Sequence, residues 1–262
     1  MAPRSHSGAS LTERLTAAGC IAADEEADEL MAAAADEATL EAFVGRRERG
    51  EPLAWITGST QFCGHRVMVD RGVYVPRPQS EALAQRAAAL LAVAGPAFAV
   101  DLCTGSGAVA VHLKATRPEA VVTAVDADIR AASCARRNGV LAVVGNLGAP
   151  LVPRAFDVVT AVAPYVPTGA IALLPADVQR YEPRLALDGG IDGLDVVRRV
   201  VASASALLRP GGWLLIEVGG AQDRALATTL DASGFGAATT WHDEDGDLRG
   251  LAAQLVSARR LS

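Results

Sequence analysis

From residue 97 to the end of the chain, short apolar runs alternate with longer amphipathic stretches. The runs are AFAVDLC, VVTAVD, VLAVV, FDVVTAVA and WLLIEV. Between them stand GAVAVHLKATRP, ADIRAASCARRNG and GLDVVRRVVASASALL. A strand buried on both faces reads as a continuous apolar run. Strands separated by helices pair in parallel through right-handed crossovers, which puts helices on the faces of one sheet. The expected class is α/β, a parallel sheet wrapped by helices. A helix from Ala221 and two strands near 237–241 and 251–256 should close it.

The chain has 262 residues, half of them hydrophobic, which is ample for such a core. Aromatics make up only 4%, so the core must be built from Ala, Val and Leu. The net charge of −6 argues against a general binder of nucleic acid or membrane surface. Cys20, Cys63, Cys103 and Cys134 are far apart with no C-x-x-C pair, which points to reduced thiols and to no metal site. The start, MAPRSHSGAS, lacks an apolar h-region, and no uninterrupted apolar run is long enough for a membrane span. A cytoplasmic location is expected.

Residues 1–51 read as a small helical domain. Ser10 and Glu13 form a capping-box pattern, and DEEADELMAAAADEATLEAFVGRRERG runs from an acidic start to a basic end. This part is either a substrate-recognition cap or a packing module. In 52–78, β-formers around Gly58, Gly64 and Gly72 suggest a β-hairpin linker that ends in the rigid Pro76-Arg77-Pro78. The main domain spans 79–262, with QSEALAQRAAALLAV as its first helix.

The sharpest chemical feature is VDLCTGSGAVAV. Asp101 ends a strand, Gly105 and Gly107 sit in the turn, and a helix follows at once. Glycines there let a ligand approach the backbone. A second strand ends in Asp126, whose carboxylate can accept two ribose hydroxyls. A nicotinamide dinucleotide fits the glycines, but Asp101 would repel a pyrophosphate over the helix start. S-adenosyl-L-methionine, with an ammonium, a sulfonium and no phosphate, suits that charge. The fourth strand of this domain ends in Val162-Ala163-Pro164-Tyr165, beside the crevice where ligands bind in such sheets.

These segments resemble the HemK family of glutamine-amide methyltransferases, which methylate the glutamine of the GGQ motif in peptide-chain release factors. EPLAWITGSTQFCG is similar to the family linker and VYVPRPQSE to its PRP-x-T-E segment. DLCTGSGAVAV resembles its D-L-G-T-G-T-G-A-I-A loop, and AVDAD its acidic strand end. YEPRLALDGGIDGLDVVRRVV and GGWLLIEVG match downstream. The resemblance covers nearly the whole chain. It implies a seven-stranded Rossmann-like class I methyltransferase domain preceded by the helical domain and hairpin. It also implies S-adenosyl-L-methionine bound at Asp101, Cys103, Thr104, Gly105, Ser106, Gly107 and Asp126. Asn146 and Leu147, in VVGNLGAP, stand where the family places an acid and an aromatic near the adenine.

The departure lies at the strand tip. The family tetrapeptide is Asn-Pro-Pro-Tyr, and here it is Val162-Ala163-Pro164-Tyr165. The family asparagine and the next backbone carbonyl accept hydrogen bonds from the substrate amide, fixing its nitrogen for in-line transfer. Val162 cannot accept one; the Ala163 carbonyl still can. Pro164 stiffens the tip and Tyr165 can wall the slot. Ala163, Pro164 and Tyr165 are thus the catalytic candidates, with Val162, Arg77 and Glu217 beside them for substrate. The acceptor is a release-factor glutamine or a small-molecule nitrogen in an amino acid, guanidine or natural product. A cofactor-binding protein with little turnover is the third reading.

Other residues leave two readings open. Tyr181, Glu182 and Arg184 form a substrate lid or a structural turn with an ion pair, and Glu217 binds substrate or anchors a loop. His65, His112 and His242 occur singly and suggest packing or surface positions. Cys103 reads as inert, and the acidic run 243–247 as a solvated turn.

Overall fold

The structure is a computed structural model, and residues 7–91 and 97–256 are described, with side chains from Leu11 onward. Four helices open the chain: α1 (Ser7–Ala17), α2 (Ala23–Ala33), α3 (Glu37–Glu48) and α4 (Leu53–Thr57). The first begins three residues before Ser10, so that residue lies inside the helix. The Ser10 side chain of the expected capping box lies outside the described residues. The long acidic-to-basic stretch breaks at Asp36, whose side chain accepts from the Thr39 N–H at 2.8 Å and restarts the helix as α3. Leu15, Leu30, Val44 and Ile56 form a small separate core. Arg47 and Glu26 form an ion pair between α3 and α2.

The segment that follows is only partly hairpin. Residues 53–57 wind into α4, which ends at Gly58 in the left-handed conformation (φ 82°). Strands β1 (Ser59–Phe62) and β2 (His65–Met68) then pair antiparallel. Asn138 docks the hairpin on the main domain. Its amide accepts from the Met68 N–H at 2.8 Å and donates to the Met68 carbonyl at 2.8 Å and the Ser106 carbonyl at 2.9 Å. One side chain thereby ties the hairpin to the glycine turn.

The main domain runs α5 (Glu81–Leu90), β3 (Phe98–Leu102), α6 (Ala108–Thr116), β4 (Val121–Asp126), α7 (Ile129–Arg137), β5 (Leu141–Val144) and β6 (Phe156–Ala161). It continues through α8 (Ala176–Tyr181), α9 (Asp195–Leu207), β7 (Leu208–Glu217), α10 (Gln222–Ala232), β8 (Thr239–His242) and β9 (Leu248–Gln254). The seven strands order as β5-β4-β3-β6-β7-β9-β8. The first five are parallel, but β9 is antiparallel to both β7 and β8, so the sheet is mixed rather than wholly parallel. The cause is local. The acidic turn 243–247 is too short for a crossover, and two strands joined so tightly must run antiparallel.

Each sheet face carries its own core. Val100, Leu102, Val159 and Ala161 face α9 and α10, whereas Ala99, Val158 and Ala124 face α5 and α6. The period of two continues past the end of β6: Ala163 belongs to the first face and Val162 packs on the second.

Candidate active site

The carboxyl ends of β3, β4, β5 and β6 open on one cleft of about 1160 Å³, part of it open to solvent. It lies where β3 pairs with both β4 and β6, the point at which the strand order reverses. Asp101, Cys103, Thr104, Gly105, Ser106, Asp126, Asn146, Leu147, Val162 and Pro164 all line it. Gly107, Arg77, Ala163, Tyr165 and Glu217 are not among its lining residues.

The glycine turn follows from backbone needs. Gly107 has φ 86°, and a Cβ there would lie 2.9 Å from the Ala135 Cβ and 3.2 Å from its Cα, so glycine lets α6 seat against α7. Gly105 has φ 57°, but a Cβ there would meet nothing within 4 Å, because its open side is the cleft. Cys103 also takes a left-handed conformation (φ 56°), a backbone that favours glycine, so its side chain sits at a strained position. Burial pushes its thiol far above the ordinary range, which keeps it protonated.

Two carboxylates frame the turn. Asp101 is 2% exposed; it accepts from the Thr104 hydroxyl at 2.5 Å and from the Thr160 hydroxyl at 2.7 Å. Asp101 and Thr160 are register partners on β3 and β6, which makes the second bond a product of strand pairing. Burial pushes the Asp101 carboxyl up to about 6, against the pull of the two hydroxyls. Asp126 accepts from the Gly105 N–H and the Asp128 N–H, each at 2.9 Å, and burial also raises it. The Ser106 hydroxyl is buried in the cleft lining with no partner among the described residues. An open glycine, an unpartnered hydroxyl and two carboxylates fit a polar ligand that carries a cation and hydroxyl donors.

At the far end of the cleft, the Asn146 carbonyl oxygen accepts from Arg199 at 2.6 Å. Arg199 on α9 is a lining residue that the sequence reading missed; no local spacing links it to Asn146.

The tip of β6 is held from several sides. The glycine-rich loop after Asp188 packs on its backbone: a Cβ on Gly189 would lie 2.8 Å from the Pro164 carbonyl and one on Gly193 2.3 Å from that of Tyr165. Gln222 donates to the Tyr165 carbonyl at 3.0 Å. Among the described residues nothing donates to the Ala163 carbonyl. Tyr165 does not face the cleft; its hydroxyl donates to Glu217 at 2.7 Å, and burial beside that carboxylate raises its pKa strongly. Glu217 is 3% exposed and its other oxygen accepts from the Ser80 hydroxyl at 2.5 Å, so both oxygens are engaged by the protein. Arg77 is paired with the buried Glu182 and stacked 5.1 Å from the Tyr74 ring centroid. The turn after α8 is therefore anchored by an ion pair to the linker, while Pro183, Leu185 and Ala186 reach the cleft. Tyr74, from the linker, and Ser80, just before α5, were also missed and line it.

His65 and His112, unrelated in sequence spacing, meet with ring centroids 5.5 Å apart between hairpin and α6, away from the cleft lining. No helix of the described residues is long and apolar enough to cross a membrane.

The chain matches no family model. It is 37% identical over 210 residues to the release factor glutamine methyltransferase of Geobacter sulfurreducens, covering 78% of this chain and 73% of that one. It is 38% identical over 229 residues to the release factor glutamine methyltransferase of Cereibacter sphaeroides, covering 84% and 81%. Its fold matches a T. Thermophilus 16S rRNA methyltransferase solved in complex with AdoMet and guanosine, with a TM-score of 0.53 and 17% identity over 78% of this chain and 46% of that one.

Proposed function

The chain belongs to the release factor glutamine methyltransferase family, and on that premise we propose that it moves a methyl group from S-adenosyl-L-methionine to an acceptor nitrogen at the tip of β6. When bound, that cofactor supplies an electrophilic methyl group on a positively charged sulfur. Asp101, oriented by Thr104 and Thr160, sets negative charge where an ammonium would be held. Asp126, with one N–H on each oxygen, keeps lone pairs for ribose hydroxyls. Gly105 leaves room, and Ser106 gains the partner it lacks. Asn146, steadied by Arg199, and Leu147 bound the adenine end.

Val162 and Pro164 line the cleft on either side of Ala163, whose carbonyl has no donor among the described residues, and this placement carries the acceptor assignment. An amide nitrogen is a weak nucleophile, and a fixed carbonyl that accepts one of its N–H groups aims it and favours the charge that develops. Pro164 keeps that carbonyl in place. Val162 lines the cleft without any acceptor. A lost acceptor of this kind costs about 1–3 kcal/mol, or roughly 5- to 150-fold in rate when the bond matters in the transition state.

The substrate in the first reading is the glutamine of a release factor, met in the cytoplasm. Val162 favours a second reading, in which the acceptor is a small-molecule nitrogen, in an amino acid, guanidine or natural product, that does not call on an acceptor at this position. Purified protein incubated with methyl-labelled cofactor and release factor separates them. Label on the release-factor glutamine supports the first reading. Label only on small molecules from a lysate moves the assignment to the second. Cofactor binding without label anywhere leaves a binding protein and contradicts both.

A further inference from the structure

We propose that Glu217 is a positioning residue of the acceptor slot: its carboxylate clamps the start of α5 to the tip of β6 through Ser80 and Tyr165, and it acts through those hydroxyls rather than on substrate. This inference rests on the methyl-transfer reading above.

The geometry is specific. β6 and β7 pair in parallel up to Ala161 and Ile216, so Glu217 lies at the same level as the start of the Val162–Tyr165 tip, one strand away. Its side chain is buried, and each oxygen takes one hydroxyl: Tyr165 from the tip at 2.7 Å and Ser80 from the start of α5 at 2.5 Å. Charge-assisted hydroxyl bonds of this length are strong and directional. Neither donor is a cation. Arg77 is paired with Glu182 and Arg249 with Asp243, so Glu217 is a buried carboxyl held by neutral donors, its pKa raised by burial against the pull of the two hydroxyls. Apolar packing would stabilise that position more cheaply, because desolvating a carboxylate is unfavourable. What the carboxylate adds is a fixed orientation for Ser80, which lines the cleft, and for Tyr165, which ends the tip carrying Val162 and Pro164.

The neighbouring contacts make the clamp part of a strap. Ser80 lines the cleft, and the next residue, Glu81, accepts from the Cys63 N–H of the hairpin at 2.8 Å. Ahead of it, Arg77 reaches the buried Glu182. Residues 77–81 are thus tied to the hairpin, to the turn after α8 and to the β6 tip. Among the described residues, the tie through Glu217 is the one that reaches the tip of β6.

The test compares Glu217→Ala, Glu217→Gln and Tyr165→Phe, alone and combined. Glutamine can still accept from Tyr165 and donate to the Ser80 oxygen. Glu217→Ala should lower kcat about 10- to 100-fold, as loss of orientation does, with the KM for S-adenosyl-L-methionine unchanged. Glu217→Gln should restore most of the rate. Adding Glu217→Ala to Tyr165→Phe should cost little more than Tyr165→Phe alone. Unchanged kcat in Glu217→Ala, additive losses, or a Gln variant as impaired as Ala would each overturn the clamp.

A readout without turnover runs beside it. The chain has only three tyrosines, Tyr74, Tyr165 and Tyr181, so ring-carbon labelling gives three resolvable NMR signals. The Tyr165 signal should move in Glu217→Ala and return in Glu217→Gln; an unmoved signal contradicts the proposal. If Glu217→Ala does not fold, Ser80→Ala and Glu217→Gln carry the same comparison. Wild-type turnover is measured first, so a protein that labels no acceptor counts against the proposed function, while the tyrosine signal still decides the clamp.

Discussion

At the scale of single residues, the two glycines of the turn separate stability from binding. Gly107→Ala forces a left-handed backbone and a Cβ into Ala135. It should destabilise the fold by about 2–4 kcal/mol, seen as a lower urea midpoint. Gly105→Ala meets no atom within 4 Å and should cost only about 1 kcal/mol of stability. Its Cβ enters the cleft, however, so cofactor affinity measured by calorimetry should fall while the urea midpoint nearly holds. Asp101 gives a pH signature. Its folded pKa of about 6 lies above the unfolded value, so the native state binds the extra proton, and stability without ligand declines as pH rises from about 4 to 6. A cationic ligand needs the ionised form. Cofactor affinity should therefore rise through that same window, and Asp101→Asn should flatten both profiles. Asp126, raised in the same direction, adds to the wild-type slope. Most lining residues of the turn were legible because they are consecutive in sequence. Ser80 and Glu217 were not legible as a pair: they are 137 residues apart and meet only through the sheet.

At the scale of elements, the βα alternation was readable because parallel strands carry uninterrupted apolar runs. The antiparallel β9 was not, since its apolar run has the same look and only the short turn before it sets its direction. The break at Asp36 was hidden by an alanine-rich stretch that suits one long helix equally well. Residues 53–57 took helix over strand before Gly58 could turn the chain into β1. The hairpin's attachment depends on Asn138, which bonds both Met68 and Ser106. Asn138→Ala removes the acceptor of the exposed Met68 N–H and should cost about 0.5–1.5 kcal/mol. Hydrogen exchange at Met68 should speed up, and cofactor affinity should weaken because the Ser106 carbonyl loses its donor. Unchanged exchange at Met68 would detach the hairpin from the glycine turn.

At the scale of the whole molecule, the sheet brings four strand ends to one edge, and the helices and hairpin approach that edge through the linker. The resemblance read from motifs and the relatives found by comparison agree on the reaction class. On the acceptor side, the apolar Val162 side chain lines the cleft, and among the described residues nothing donates to the Ala163 carbonyl. The most direct test is single-turnover methyl transfer to a release factor by the wild type and by Val162→Asn at saturating S-adenosyl-L-methionine. The account expects labelled glutamine from both, with the variant faster by roughly 5- to 150-fold and cofactor affinity unchanged. Equal rates from both proteins, or no labelled release factor from either while the cofactor binds, would contradict it.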